Sequence, residues 1–136
     1  TAETRRALER AERFTAVDFV AARRELERLG GAWVAALEDT DLLVLPTTET
    51  AAPRVDELVA PKGEELRPEV AVRLTRLCRP MNFLGLAAMS VPCGFTSTGM
   101  PVGLQLVARD EATVLGAALA YQELTDWHTR RPPLDL

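Results

Sequence analysis

Lysine, histidine and serine are nearly absent from this chain of 136 residues. Lys62 is the one lysine, His128 is the one histidine, and the serines are Ser90 and Ser97. Few residues can therefore support lysine or serine chemistry. A zinc site needs about three or four nitrogen or sulfur ligands at recognisable spacing, and the sequence lacks that pattern. It also lacks the G-x-x-x-x-G-K-[ST] phosphate loop. We expect neither a metal nor an organic cofactor.

Cysteine is also scarce, and long apolar runs and excess positive charge are missing. Cys78 and Cys93 are too few for a disulfide framework, and free thiols are the expectation. No apolar run approaches the roughly 20 residues of a membrane span, and no signal peptide is recognisable. The formal net charge of -4 disfavours binding to nucleic acid or to an anionic membrane. These features predict a cytoplasmic protein.

The composition that remains is globular, with 47% hydrophobic and 26% charged residues. That balance excludes a disordered or collagen-like chain, and the length fits one domain. The sequence begins at Thr1, without a methionine, which fits processing, a tag scar or the C-terminal piece of something longer. The motifs described below favour the last of these. We expect one unit over 1–136, helical at 1–38, with strands, a long loop and a hairpin at 39–108 and a helix and tail at 109–136.

Helical patterns occupy the first part of the chain. Residues 2–13 are charged helix formers and predict an exposed helix. Thr15 and Asp18 have the spacing of a capping box that opens a second helix at 16–38. A glycine pair at 30–31 interrupts it, which indicates a bend or a close contact. The apolar stripe of this helix comprises Val17, Val20, Ala21, Leu29, Trp33 and Leu37.

Three apolar runs predict strands. The run 42–45 is continuous and closed by a proline, which is typical of a strand buried on both faces. The run 88–91 also ends at a proline, and 102–107 follows a short turn, so these two predict an antiparallel hairpin. In so small a sheet, the first strand has too few neighbouring elements to bury both of its faces. We therefore expect missing neighbours, an exposed apolar face and self-association.

The remaining segments are a loop and two helices. Residues 47–68 predict a long surface loop with a turn at Lys62-Gly63. A short helix at 69–77 should stop at Arg79-Pro80, and a compact connector should follow at 81–85.

The end of the chain predicts one more helix. Asp110 should cap a helix at 111–127, and the prolines after Arg130-Arg131 cannot continue it. The apolar stripe of this helix comprises Val114, Leu115, Ala118, Leu119 and Tyr121. Helices that flank a few apolar strands define an α/β fold.

No complete catalytic constellation is visible. A serine–histidine site would need Ser90 or Ser97 with His128. A cysteine–histidine site would need Cys78 or Cys93 with the same imidazole. The ordinary alternatives are a small packing serine, a turn serine, buried structural cysteines and a solvated histidine.

Asn82 is the unusual residue, because it places a polar amide between Met81 and Phe83. Such an amide must find hydrogen-bond partners. It stabilises a turn in the ordinary interpretation and lies beside a ligand pocket in the sharper one. The segment 75–95 around it is unusually dense in arginine, cysteine, glycine and proline.

Five stretches of the sequence resemble the C-terminal part of the amidase signature family, and together they span nearly the whole chain. The matching stretches are DLLVLPT (41–47), APRVDE (52–57), LTRLCRPMNFLGLAAMSVPCGF (74–95), GMPVGLQLVA (99–108) and TDWHTRRPP (125–133). The asparagine–glycine connector, the strand ending in proline-cysteine-glycine and the hairpin into G-x-P-x-G-L-Q-L-V occur together, which makes the resemblance specific. It implies a mixed sheet with an antiparallel hairpin, flanked by helices.

The resemblance implies an amidohydrolase that cleaves a carboxylic amide through a serine acyl-enzyme. The family's catalytic serine, its second serine on a cis peptide and its lysine lie N-terminal to the matched region, so no catalytic residue is expected in this chain. Lys62 lies in the wrong segment to be that lysine. The implied partners are a small-molecule amide and the missing N-terminal part. The expected pocket-lining residues are Thr75, Arg76, Cys78, Arg79 and Asn82. The ordinary alternative for each arginine, and the favoured one, is a surface salt bridge.

The chain departs from the family pattern at three positions. The family often has threonine at the position of Cys78 and proline at that of Ala87, and both changes look tolerable. In the A-type subunits of glutamine-using amidotransferases, an aspartate that contacts the substrate amine commonly occupies the position of Thr75, which favours a free-standing amidase. Three alternatives stay open: part of such an amidotransferase, a non-catalytic binding module derived from an amidase, and a hydrolase that uses Cys93 and His128.

Overall fold

The computed structural model describes residues 2–59 and 67–131, with side chains from residue 4. The predicted turn at Lys62-Gly63 and the prolines after Arg131 lie outside the described residues. The described elements are α1 (Ala2–Ala11), α2 (Ala16–Ala36), β1 (Leu43–Pro46), α3 (Val55–Leu58), α4 (Pro68–Thr75), α5 (Arg79–Leu84), β2 (Ala87–Phe95), β3 (Pro101–Ala108), α6 (Glu111–Glu123) and a 3₁₀ turn at Trp127–Thr129.

The three strands form one sheet in the order β1-β3-β2. The predicted hairpin is confirmed, because β2 and β3 pair antiparallel. β1 also pairs antiparallel with β3. Within the described chain every pairing is therefore antiparallel, whereas the resemblance implied a mixed sheet. Gln105 at the centre lies opposite Leu45 on one side and Ser90 on the other.

One face of the sheet carries the apolar core. Successive side chains of a strand point to opposite faces, so alternate residues of β3 meet different neighbours. Leu106 and Ala108 pack with Val91 of β2 and with Val114 and Ala118 of α6, and all five are buried. The fold class expected from the sequence, an α/β arrangement of helices against a small sheet, is confirmed.

The expectation that β1 is buried on both faces is wrong for this chain. Leu43 and Leu45 are half-buried, whereas Val44 between them and Pro46 after them are exposed. The physical reason is topology. β1 is an edge strand here, and α6 packs mainly over β2 and β3 rather than over β1. An apolar run cannot reveal whether its cover comes from the same stretch of chain.

The long N-terminal helix forms as predicted but buries little. Thr15 and Asp18 make the reciprocal capping box, in which the Thr15 backbone N–H donates to Asp18 Oδ2 at 2.8 Å. The helix runs unbroken through both glycines. A Cβ on Gly30 would lie 3.4 Å from Leu84 Cδ2, so this position is a close contact with α5. None of the helical residues is buried, and only Leu37, the cap residue after it, is. The stripe residues Val17, Val20 and Leu29 are exposed.

Two prolines do not act as the sequence predicts. The helix predicted at 69–77 does end before Arg79-Pro80, as α4 (Pro68–Thr75). Pro80 then lies in the first turn of α5, so a helix begins where a connector was expected. Proline is compatible with a first turn, where its missing N–H has no intrahelical acceptor. Pro92 lies within β2, which continues to Phe95. β2 is an edge strand with a register shift between Pro92 and Gly94, and proline is tolerated at such sites.

The last helix is capped as predicted but is shorter, ending at Glu123 rather than 127. The Asp110 carboxylate accepts the backbone N–H of Thr113 at 2.9 Å. Leu115 and Leu119 are 58% and 60% exposed, so these two members of the predicted stripe point away from the core. None of the described helices combines the length and apolar character needed to cross a membrane.

Candidate functional site

The other face of the sheet borders a small polar pocket, which we call the sheet pocket. It has a volume of about 180 Å³ and lies between α5 and the three strands. Residues from α5 and from the turn before it form one wall, and residues from the strands form the other. The lining residues are Thr47, Cys78, Met81, Asn82, Ala88, Met89, Ser90 and Gln105.

A hydroxyl pair spans the sheet at one end of this pocket. Thr47 Oγ1 and Ser90 Oγ are 2.6 Å apart and share a hydrogen bond. Gly103 lies between them on β3. A Cβ built on it would be 2.6 Å from Ser90 Oγ and 2.7 Å from Thr47 Oγ1. Only glycine lets the two hydroxyls meet across the central strand.

Within the described chain, Gln105 is the one residue whose buried side chain has a polar atom without a hydrogen-bond partner. Its side chain is 4% exposed, and Oε1 has no hydrogen-bond partner. A buried polar group without a partner is uncommon and calls for an explanation such as a bound ligand. Gln105 is not among the site residues predicted from the sequence. The available signal was the one applied to Asn82, a polar amide between two apolar neighbours.

The predicted site residues Cys78 and Asn82 both line the sheet pocket. The Cys78 thiol donates to the backbone carbonyl of Thr47 at 3.1 Å, which ties the start of α5 to the end of β1. Asn82 is exposed on the pocket side, and its amide makes no hydrogen bond to a described residue. Asn82 therefore borders a pocket, and a contact between this residue and a ligand stays a prediction.

The predicted residues Arg76 and Arg79 lie elsewhere, along an apolar groove between α2 and the helices α4 and α5. This outer groove has a volume of about 310 Å³. Arg76 forms an ion pair with Glu49 at 3.4 Å. The remaining lining residues are Leu26, Leu29, Trp33, Val72, Pro80, Phe83 and Leu84.

Thr75 lines neither depression. Its hydroxyl donates to the carbonyl of Ala71, one turn earlier in the same helix, at 2.9 Å. The structure therefore divides the five predicted residues into two on the sheet pocket, two on the outer groove and one on the helix surface.

The other candidate nucleophiles have ordinary surroundings. Ser97 is exposed in the β2–β3 turn. The Cys93 thiol donates to the carbonyl of Val102 at 3.5 Å, and both cysteines are free. His128 is exposed in the 3₁₀ turn. Among residues 2–59 and 67–131, no group of three or more histidine, cysteine or acidic residues could hold a metal ion. Lys62 lies outside the described residues.

Comparison with known proteins identifies the family. The family model described as Amidase matches residues 2–115. The A-type subunit of glutamyl-tRNA(Gln) amidotransferase from Chloroflexus aggregans is 48% identical over 99 residues, which cover 71% of this chain and 19% of that protein. Fatty acid amide hydrolase of Medicago truncatula is 38% identical over 132 residues, covering 96% of this chain and 22% of that protein. The chain thus spans about a fifth of the length of these relatives.

Solved structures agree with the sequence relatives. A 6-aminohexanoate cyclic dimer hydrolase superposes with a TM-score of 0.74 at 33% identity, over 92% of this chain and 28% of that one. A structure described as an amidase superposes with a TM-score of 0.68 at 30% identity, over 90% of this chain and 29% of that one. The family match covers far more than half of the chain, and the chain belongs to the Amidase family, the amidase signature enzymes.

Proposed function

We propose that this chain is the C-terminal part of an amidohydrolase that cleaves a carboxylic amide through a serine acyl-enzyme. The observation that carries the proposal is the Amidase match over residues 2–115, joined by likeness to a fatty acid amide hydrolase over 96% of the chain. The catalytic serines and lysine lie outside the chain in this proposal. The protein as a whole acts in the cytoplasm on a small-molecule amide.

The chemistry follows the general course of acyl transfer. A serine attacks the amide carbonyl, ammonia or an amine leaves, and water hydrolyses the acyl-enzyme. This segment contributes walls of the substrate site rather than reacting groups. Cys78 and Asn82 on the sheet pocket, with Arg76 and Arg79 on the outer groove, select the acyl group. Thr75 acts only through the shape of α4.

Part of a tRNA-dependent amidotransferase is the second candidate, because several relatives carry that name at 47% or 48% identity. Thr75 favours the free-standing amidase over the amidotransferase. A threonine whose hydroxyl is bonded to its own helix supplies no carboxylate for a substrate amine.

The test begins with the intact mass of the protein in its source, compared with its full coding sequence. A much longer product is then purified and assayed on a panel of linear amides, and separately with glutamine, glutamyl-tRNA and companion subunits. Hydrolysis of linear amides without companions supports the proposal. Activity that requires glutamyl-tRNA and companions replaces it with the amidotransferase. If the product is no longer than this chain and hydrolyses none of the amides, the proposal is replaced by the non-catalytic binding module.

The exposed apolar side chains of α2 and α6 support a further part of the proposal. Val17 and Phe19 of α2 are 77% and 65% exposed, and Leu115 and Leu119 of α6 are similarly exposed. We propose that the rest of the amidase domain covers these surfaces, and that the isolated chain self-associates through them. Sedimentation of the 136-residue chain should show oligomers that dissociate on dilution. A strict monomer at high concentration would contradict this.

A further inference from the structure

The sheet pocket contains three hydrogen-bonding groups whose capacity the described chain does not use. Gln105 Oε1 is buried and has no hydrogen-bond partner among the described residues. The Thr47–Ser90 pair has two hydroxyl protons and uses one between them, so one proton is left to donate. The Asn82 amide borders the same pocket and makes no hydrogen bond to a described residue. An occupant of the pocket must therefore both donate and accept hydrogen bonds.

The strand register brings the acceptor and the donor close together. The Cα of Ser90 lies directly opposite that of Gln105, and such pairs have Cβ atoms roughly 4.5–5.5 Å apart. The Thr47 hydroxyl reaches Ser90 Oγ across Gly103 at 2.6 Å. An extended chain advances about 3.3–3.6 Å for each residue, so a few residues of backbone span both groups.

Charge and size restrict the occupant further. None of the lining residues is a carboxylate, an ammonium, a guanidinium or an imidazole. A charged side chain or ligand would therefore lose its hydration without gaining a counter-charge, which is strongly unfavourable. The volume of about 180 Å³ corresponds to about six water molecules at the density of the liquid. The pocket fits a short neutral segment that carries donors and acceptors.

Two observations favour protein backbone as that segment. β1 ends at the sheet pocket, where the Thr47 N–H donates to the carbonyl of Gly103 at 3.0 Å. On its outer side β1 pairs with no strand of the described chain, and such an edge presents unpaired N–H and C=O groups that attract further backbone. The chain also spans only about a fifth of the length of its relatives, so ample protein is available to supply the segment.

We propose that the sheet pocket is an interface with the rest of the intact protein, filled by a backbone segment from outside residues 1–136. One peptide N–H of that segment donates to Gln105 Oε1, and a peptide carbonyl accepts the free proton of the Thr47–Ser90 pair. Asn82 bonds the same segment. A single side chain satisfies one or two of these groups, whereas successive peptide units offer a donor and an acceptor each and satisfy all three. The proposal rests on the proposed function for the existence of a longer protein, and it uses nothing of the substrate.

The experiment makes one substitution in two proteins, the 136-residue chain and the intact protein that contains it. Backbone hydrogen exchange of β3, followed by mass spectrometry, reports the local stability of the sheet. In the isolated chain, Gln105→Met should slow the exchange about fivefold, because it removes a buried acceptor without a partner. In the intact protein, the same substitution should speed the exchange about fivefold or more, because it leaves the N–H of the segment without an acceptor.

Two further variants keep the comparison sharp. Gln122→Met changes the other glutamine of the chain, which lies in α6 outside the pocket, and should leave β3 exchange unchanged in both proteins. Ser90→Ala removes a hydroxyl that is exposed in the isolated chain, so it should speed exchange only in the intact protein. This variant decides the question if Gln105→Met does not fold in the intact protein.

Only a change of sign between the two proteins supports the proposal. Slower exchange in both would mean that no hydrogen-bonding group enters the pocket, and faster exchange in both would mean that Gln105 already has a partner, such as water, in the isolated chain. Either result overturns the proposal.

A crystal structure of the intact protein identifies the occupant directly. It should place a backbone nitrogen from outside this chain within about 3.2 Å of Gln105 Oε1, and a side chain or a water in that place would contradict the proposal. Exchange and structure are measured without turnover. An intact protein that shows the sign change but hydrolyses no amide would therefore sink the proposed function alone, whereas a coding sequence that ends with this chain would sink both.

Discussion

The two faces of the small sheet use alternate residues of the same strand and differ in chemistry. On the α6 face, Leu106 and Ala108 of β3 pack against aliphatic side chains and are buried. On the α5 face, Gly103 and Gln105 of the same strand border a polar pocket with an unsatisfied oxygen. The segment GLQLVA thus contains two interleaved patterns, although the pocket-side pattern also includes Val107, which is fully buried.

The difference shows what each face contributes. Apolar burial on the α6 face stabilises the fold by roughly 25 cal/mol for each Å² removed from water. A buried polar group without a partner costs free energy, so Gln105 works against stability while the pocket is empty. Residues that oppose stability are expected at binding sites. The contrast between the faces therefore predicts substitutions of opposite sign within one strand.

The largest loss of stability is expected from a substitution on the α6 face of the sheet. Leu106→Ala should lower the free energy of unfolding by about 2–5 kcal/mol, because it removes apolar contacts and leaves a cavity. Val102→Ala is the matched control, since Val102 lies on the same strand but is 37% exposed. Urea unfolding followed by circular dichroism measures both variants. If the two cost the same, the α6 face is not the core.

Gly103→Ala should cost about 1–3 kcal/mol, because overpacking forces side chains and backbone to shift. The added methyl would meet the short side chains of Thr47 and Ser90, which have no flexible end to move aside. Gly116→Ala in α6 is the control. A Cβ there meets nothing within 4 Å, and alanine should raise helix stability by up to about 1 kcal/mol. Equal effects at both glycines would contradict the close contact across β3.

Gln105→Met should stabilise the ligand-free chain by about 1 kcal/mol, opposite in sign to the two losses above. The substitution keeps the approximate shape of the side chain and removes the unpaired acceptor. The same unfolding measurement checks it, with Gln122→Met as the control for a glutamine outside the pocket. A loss of stability at Gln105 would mean that its amide already has a partner.

Local rules recovered most of the elements, and the failures have physical causes. The caps at Thr15 and Asp110 and the antiparallel hairpin follow from short-range chemistry, and they are confirmed. Pro80 and Pro92 misled because proline also fits a helix's first turn and an edge strand, and neither context is local. The burial of β1 depends on its neighbours, and within residues 2–59 and 67–131 it is an edge strand that pairs with β3 alone.

The candidate site was recovered only in part, for a similar reason. Cys78 and Asn82 stand in a segment dense in unusual residues and can be singled out by sequence alone. Gln105, Ser90 and Thr47 come from three separate stretches of chain, and only the strand register brings them together. Strand pairing is a long-range property, so no local pattern could have joined these three side chains.

The smallest effect on stability is expected from acid. Acid should loosen the α6 face of the sheet before the α5 face. The backbone N–H and then the hydroxyl of Thr113 hold the pKa of Asp110 below its ordinary value of 3.8. A lowered pKa means that the folded chain favours the carboxylate. Its stabilisation is present above pH 3.8 and is lost as the pH falls through the lowered pKa. Asp110 caps α6, whereas no carboxylate or imidazole lines the sheet pocket.

Acidification below about pH 4 should therefore shift the Met89 methyl, which packs with the α6 core, before the Met81 methyl of the sheet pocket. Asp110→Asn keeps a capping side chain that does not titrate, so it should delay the Met89 shift. The Asp18 carboxyl, whose pKa is also lowered by Thr15, still titrates in that variant and is the internal reference for the helix far from the sheet. Simultaneous movement of both methyls would mean that the two faces unfold as one unit and that Asp110 does not anchor α6 independently of the pocket.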